Sequence, residues 1–219
     1  MLISHRKKFI YTKTVKTAGT SVESYFEKYC MPEGEWQFIN KRDQYVSGSG
    51  VIGARGADVS RFDWYNHMPA SGIRDKIGID DWENYFKFCV VRNPFDKLVS
   101  LFFFNKEKGA LGIEETGGTV ECFRAWISKG VPVPDRRQYL IKGRVCIDYF
   151  IRYENLAHGI KSVCDHLGLA FEPQNIPSLK SGFRDQSIEV REFYSEDMVQ
   201  LVCKAYEFEL KEFGYTFPS

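Results

Sequence analysis

Long apolar runs are missing from this chain of 219 residues. No segment approaches the ~18 consecutive apolar residues that a membrane span requires. The opening "MLISHRKKFIYTKT" reaches a charged turn without an apolar core of signal-peptide length. The six cysteines (Cys30, Cys89, Cys122, Cys146, Cys164, Cys203) contain no CxxC pair and no Cys/His grouping at metal-ligand spacing. No metal site is expected, and without a secretory leader no disulfide framework either. Cys89, inside "FKFCVVR", reads as a buried free thiol. An excess of charge is also lacking: 30 basic residues face 29 acidic ones. That balance gives no case for bulk nucleic-acid binding and leaves room only for a local basic site. There is no internal repeat, low-complexity tract or linker. These absences point to a soluble, cytoplasmic protein of a reducing compartment, with neither nucleic acid nor membrane as partner.

What the chain does have is a core. Hydrophobic residues make up 43% and aromatics 16%, and the length suits one domain spanning 1–219. "KFIYTKT", "YFKFCVVR" and "VCIDYFIRYENL" read as strands. Helices are expected over "TSVESYFEKYC", with Thr20 or Ser21 as cap, and over "FDKLVSLFFFNKEK", "TVECFRAWISKG" and "ENLAHGIKSVCDHLG". A last helix fits "SEDMVQLVCKAYEFELKEFG", which opens on Ser195 and two acids and closes at Gly214. From Met31 to about Ser71 the pattern breaks into glycine-rich loop with at most one short strand. Three apolar strands alternating with helices argue for an α/β domain with a mainly parallel sheet.

The stretch "TKTVKTAGTSVES" places two lysines, Gly19 and a row of hydroxyls between a strand and a helix. The first N–H groups of a helix have no intrahelical partner and carry the positive end of its dipole. An oxyanion fits there, with Gly19 allowing close approach, Thr17, Thr20 and Ser21 adding hydroxyls, and Lys16 adding charge. The plainer alternative is a capped helix after a polar loop. The nucleotide-phosphate loop GxxxxGK[ST] is a different order, because here lysine comes first and the upstream glycine is missing.

The order K-T-A-G-T-S resembles the 5′-phosphosulfate loop of sulfotransferases that use 3′-phosphoadenosine 5′-phosphosulfate (PAPS), in particular the carbohydrate-type branch related to uronyl 2-O-, HNK-1 and chondroitin sulfotransferases. "CVVRNPFDKLVSLFFF" is similar to that family's 3′-phosphate motif, with Arg92 at a strand's end and Ser100 eight residues later on a helix. Arginine's planar fork of donors suits a phosphate. Taken singly, Arg92 would read as a strand-end ion pair and Ser100 as a packed helix serine. The resemblance covers most of the chain outside about 32–61, a variable insert placed to form an acceptor wall. One position departs from it: Val15 stands where a proline is usual.

The resemblance implies a three-layer, phosphate-loop-type domain with a mainly parallel central sheet flanked by helices. It also implies in-line transfer of a sulfuryl group from PAPS to a hydroxyl or amine, leaving 3′,5′-ADP, without a metal. Lys16 would stabilise the leaving group, and Thr17, Ala18, Gly19, Thr20 and Ser21 would hold the 5′-phosphate. His67, in "FDWYNHMPASGIRDKIG", resembles the segment carrying the catalytic histidine of the uronyl 2-O-type relatives and would be the general base. Glu23, Asp63 or a nearby loop carboxylate is the fallback. His5 reads as exposed, and His158 and His166 as surface or packing residues. In "PSLKSGFRDQS", Lys180, Ser181 and Arg184 would meet the 3′-phosphate or the adenine side, or form a solvated basic loop. In the insert, outside the resemblance, Arg55 would face an anionic acceptor, and Trp36 suits a sugar ring or a flat small molecule. The acceptor is a saccharide or a small molecule. Two alternatives stay open: a Mg-ATP-dependent small-molecule kinase and a nucleotide-binding protein without catalysis.

Overall fold

The computed structural model describes residues 1–56, 58–59, 61–114, 117–177 and 187–218. In chain order the elements begin β1 (Leu2–Ser4), β2 (Phe9–Thr12), α1 (Gly19–Phe26), β3 (Tyr45–Ser47), β4 (Gly50–Ile52), α2 (Ala70–Ile77), α3 (Ile79–Asn84) and β5 (Phe86–Val91). They continue with α4 (Pro94–Glu107), α5 (Thr119–Lys129), β6 (Leu140–Ile141), β7 (Arg144–Val145), β8 (Tyr149–Arg152), α6 (Leu156–Leu167), α7 (Glu196–Ala205) and α8 (Glu207–Phe213). The chain forms two compact units, Met1–Val91 with Asp135–Leu179, and Arg92–Pro134 with Lys180–Ser219.

The first unit is built on a sheet of order β3-β4-β1-β2-β5-β8. β2 pairs parallel with β5, and β5 parallel with β8. The other pairs, β3–β4, β4–β1 and β1–β2, are antiparallel. The sheet is therefore mixed, which corrects the expectation of a mainly parallel one. The parallel half consists of the three apolar runs that the sequence shows as strands. The antiparallel half is made of short strands joined by turns at residues 5–8 and 48–49, too short for a crossover connection. β3 and β4 also give the segment before Ser71 two strands rather than one.

Side chains alternate across this sheet as the period-2 geometry of strands demands. Leu2, Phe9, Tyr11, Ile52, Phe88, Val90 and Ile151 pack with Val22 and Phe26 of α1 and Ile160 and Val163 of α6. Ile3, Ile10 and Val51 pack on the opposite side with Met68, Ala70, Ile73 and Trp82, from α2, α3 and the residues before α2. Helices thus flank the central sheet on both faces, which makes the unit an α/β structure. α6 lies close on β8: a Cβ added at Gly159 would stand 2.6 Å from Ile151 Cγ2. α1 stops at Phe26 and the chain continues as a 3-10 turn over Glu27–Cys30, where the sequence suggested one helix. Cys89 is buried in β5.

In the second unit, α4 starts where Asn93 accepts a hydrogen bond from the Phe95 N–H at 3.0 Å and Pro94 fills the first helical position. Its core is aromatic, with Phe102, Phe123 and Phe193 in edge-to-face contacts and Phe95 against Tyr194. The final helix of the sequence reading is broken into α7 and α8 at Tyr206, a buried residue whose hydroxyl donates to the Pro132 carbonyl at 3.0 Å. Among the described residues no helix is long and apolar enough to cross a membrane.

Candidate functional site

The loop from Lys13 to Ala18 joins β2 to α1. Lys16 and Ala18 both take left-handed backbone, with φ of 59° and 56°, a conformation that costs a non-glycine residue ~1–2 kcal/mol. Thr14 donates its hydroxyl hydrogen to the Val90 carbonyl, so Thr17 is the donor in the 2.8 Å bond between the two threonine hydroxyls. Ala18 precedes the helix, and its carbonyl accepts the N–H groups of Ser21 and Val22. The cap position is held by Ala18, and among the described residues no side-chain cap bond is made to α1, which corrects the expectation of a Thr20 or Ser21 cap. Both lie inside the first turn and are buried, and Thr20 Oγ1 accepts from Lys13 Nζ at 3.2 Å. The positive end of α1 is therefore not covered by a hydroxyl of its own. Gly19 is needed for space: a Cβ there would meet Lys13 Cγ at 2.9 Å and the Tyr11 hydroxyl at 3.2 Å. Lys16 itself is half-buried.

Beneath this loop lies a buried charge network that sequence reasoning did not foresee. Glu23 and Glu27, on consecutive turns, have fully buried side chains. Glu23 receives Lys13 Nζ at 2.6 Å, Arg55 Nη1 at 2.6 Å and the Met1 amino group at 2.8 Å. Glu27 receives Arg55 at 2.7 Å, Arg42 at 3.2 Å and the Trp36 indole N–H at 3.2 Å. Burial alone would raise the Glu23 pKa, but Lys13 and Arg55 hold it well below the ordinary carboxylate range. This places three residues differently from the sequence reading. Arg55 spends its fork on the two glutamates and on the carbonyls of Ile39 and Asn40, inside the unit rather than toward an acceptor. Trp36 is tied to Glu27. Glu23, the fallback base, is ion-paired and sealed from solvent. Asp63, the other fallback, is exposed and pairs with Lys76.

His67 is brought to the loop. Its Nδ1 lies 3.0 Å from the Lys13 carbonyl. A carbonyl can only accept, so Nδ1 carries the hydrogen and Nε2 holds the lone pair. The residue is left-handed, with φ of 57°, and its own carbonyl accepts from the Gln138 side-chain amide at 2.8 Å. Burial, then the Lys13 ammonium, lowers its pKa from 6.5 to about 4, against opposing effects of the Lys13 carbonyl and Asp135. The imidazole is neutral at pH 7. The Val15 N–H donates to Asp135 Oδ2 at 3.0 Å. Of the other histidines, His5 is not free in solvent: Nδ1 sits 2.8 Å from the Tyr85 hydroxyl. His158 and His166 are exposed, His166 stacked on Phe86.

In the second unit, Arg92 and Ser100 stand eight residues apart, Arg92 just before α4 and Ser100 within it. Arg92 contacts Asp96 Oδ2 through both Nε and Nη2 at 2.7 Å. This is the strand-end ion pair that its position alone suggested. Ser100 is half-buried on the helix. Lys180, Ser181 and Arg184 lie outside the described residues. Sequence reasoning missed Lys13, Asp135 and Gln138. Lys13 directly follows an apolar strand, a mild signal that its amine needs a buried partner. Asp135 and Gln138 carry no signal, because their partners are backbone atoms far away in sequence.

An uncharacterized protein of Archaeoglobus fulgidus is 31% identical over 108 residues, which cover 48% of this chain and 86% of that protein. No solved structure matches the chain. The model of the sulfotransferase family matches residues 1–216, through both units and through the loop, His67 and Arg92 alike. On that match the chain belongs to the sulfotransferase family, whose members transfer sulfuryl groups.

Proposed function

We propose that this chain moves the sulfuryl group of PAPS onto a hydroxyl or amine of a saccharide or small-molecule acceptor, as one catalytic domain over 1–219. The observation that carries the reading is the bond from His67 Nδ1–H to the carbonyl of Lys13. It ties a neutral imidazole to the loop that, three residues later, presents Lys16. The donor set fits an anionic nucleotide, because a helix start that no described side chain caps, a lysine and small hydroxylated residues form one turn. When bound, PAPS supplies an activated sulfuryl group on its 5′-phosphate.

The chain's own residues have separable tasks. The backbone amides at Ala18, Gly19 and Thr20, with the hydroxyls of Thr20 and Ser21, hold the 5′-phosphate, while Thr17 braces the loop through Thr14. Lys16 stabilises charge developing on the leaving oxygen. His67 Nε2 accepts the proton of the acceptor hydroxyl. Negative charge from the donor opposes the burial and the Lys13 charge that lower the His67 pKa, so donor binding strengthens the base. Arg92 and Ser100 are assigned to the 3′-phosphate, Arg92 for the planar fork of donors that suits a phosphate. Lys180, Ser181 and Arg184 are assigned to the same nucleotide.

Thermal melts with 3′,5′-ADP, ADP and ATP, each with and without Mg²⁺, test the reading, since a ligand of the native state must stabilise it. A metal-independent rise with 3′,5′-ADP that disappears in Arg92→Ala is expected. A rise with Mg-ATP alone would replace sulfuryl transfer with a kinase reading.

A further inference from the structure

Five described non-glycine residues have positive φ: Lys8, Lys16, Ala18, His67 and Lys142. Lys8 and Lys142 lie in the tight turns of the β1–β2 and β6–β7 hairpins, where the turn itself imposes the conformation. Lys16, Ala18 and His67 lie in no hairpin, so their strain must be held by surrounding groups. Two such groups come from one short stretch. Asp135 Oδ2 accepts the N–H of Val15, the residue before Lys16, at 3.0 Å. Gln138, 9% exposed, donates to the carbonyl of His67 at 2.8 Å. The first bond is charge-assisted and the second is part-buried, so both resist exchange with water. Asp135 also lies near enough to His67 for its charge to raise the imidazole's proton affinity.

We infer that Asp135 and Gln138 are positioning residues for the transfer, Asp135 fixing the backbone that presents Lys16 and Gln138 fixing the backbone of His67. With the His67 backbone held, its Nδ1–H stays on the Lys13 carbonyl and Nε2 stays the proton acceptor. The inference rests on the function proposed above, and its test separates the two.

Wild type, Asp135→Asn, Asp135→Ala, Gln138→Leu and Gln138→Glu are compared, each checked by thermal melt. 3′,5′-ADP is titrated calorimetrically, and the His67 ring nitrogens are followed by ¹⁵N NMR. Asp135→Asn keeps an oxygen for the Val15 N–H, whereas Asp135→Ala does not. Asp135→Ala is expected to weaken 3′,5′-ADP about tenfold, the worth of one charge-assisted bond, and Asp135→Asn to recover most of that loss. Gln138→Leu should leave 3′,5′-ADP affinity within about twofold while His67 changes from one Nδ1–H tautomer to a mixture. If Gln138→Leu does not fold, Gln138→Glu, of equal size but without the donor, gives the same reading. Unchanged affinity in Asp135→Ala, or a single Nδ1–H tautomer without the Gln138 donor, overturns the inference. Failure of wild type to bind 3′,5′-ADP sinks the proposed function instead, and the tautomer measurement still decides the role of Gln138.

Discussion

Replacing Glu23 with Gln removes one negative charge and almost no volume. Glu23 is fully buried and is the shared partner of Lys13 and Arg55, both at 2.6 Å. The variant leaves three buried donors, Lys13, Arg55 and the Met1 amino group, short of a counter-charge, and turns an amide donor toward groups that are themselves donors. Breaking a buried pair by removing one partner costs ~3–5 kcal/mol. That is a large part of the ~5–15 kcal/mol by which domains are stable. At ~2–4 °C per kcal/mol for a chain of this size, the thermal midpoint at pH 7 should fall by about 6–20 °C. The assay is a set of melts for Glu23→Gln, Lys13→Met and the double variant. The double variant should lose less than the sum of the singles, by about 1 kcal/mol or more, because the remaining charges are better balanced. The sign of the pH effect follows from the lowered Glu23 pKa. Its contribution is present above the unfolded value of 4.5 and declines as pH falls below it. Glu23→Gln should therefore flatten the acid limb of the stability curve. A midpoint within about 2 °C of wild type would refute the reasoning, and would mean that water or rearrangement already satisfies these charges.

Other outcomes follow from the same geometry. His67 should titrate near pH 4 in the free protein by NMR, and higher once 3′,5′-ADP is bound; an unmoved value with ligand would detach it from the donor site. Because the unfolded chain binds that proton at about 6.5 and the folded one at about 4, stability should fall by about 3 kcal/mol as pH drops through this window, and His67→Gln should remove that part of the slope. Lys16→Ala should lower turnover about 10²–10³-fold with little change in melting, and retained activity would reassign the charge-stabilising role. Gly159→Ala, whose new Cβ would stand 2.6 Å from Ile151 Cγ2, should cost about 1–3 kcal/mol by forcing α6 off β8, read in urea unfolding.

The sequence by itself determined the parallel half of the sheet, the helices that follow it and the character of the loop. β2, β5 and β8 are apolar runs long enough to read locally, and Lys16, Gly19, Thr20 and Ser21 fall within six consecutive residues, so their chemistry needs no partner to be visible. The antiparallel half escaped because β1, β3 and β4 are three residues each, too short for a period to register and defined only by what they pair with. Tertiary structure alone decided the charge network. Arg55 reads as a loop cation until Glu23 and Glu27, about thirty residues away, are placed against it. The same holds for His67, whose tautomer depends on the carbonyl of Lys13, and for Asp135 and Gln138, which act on backbone atoms that any residue supplies. Local chemistry is written in adjacent side chains. Burial, protonation and left-handed backbone depend on which distant groups the fold brings within hydrogen-bonding distance.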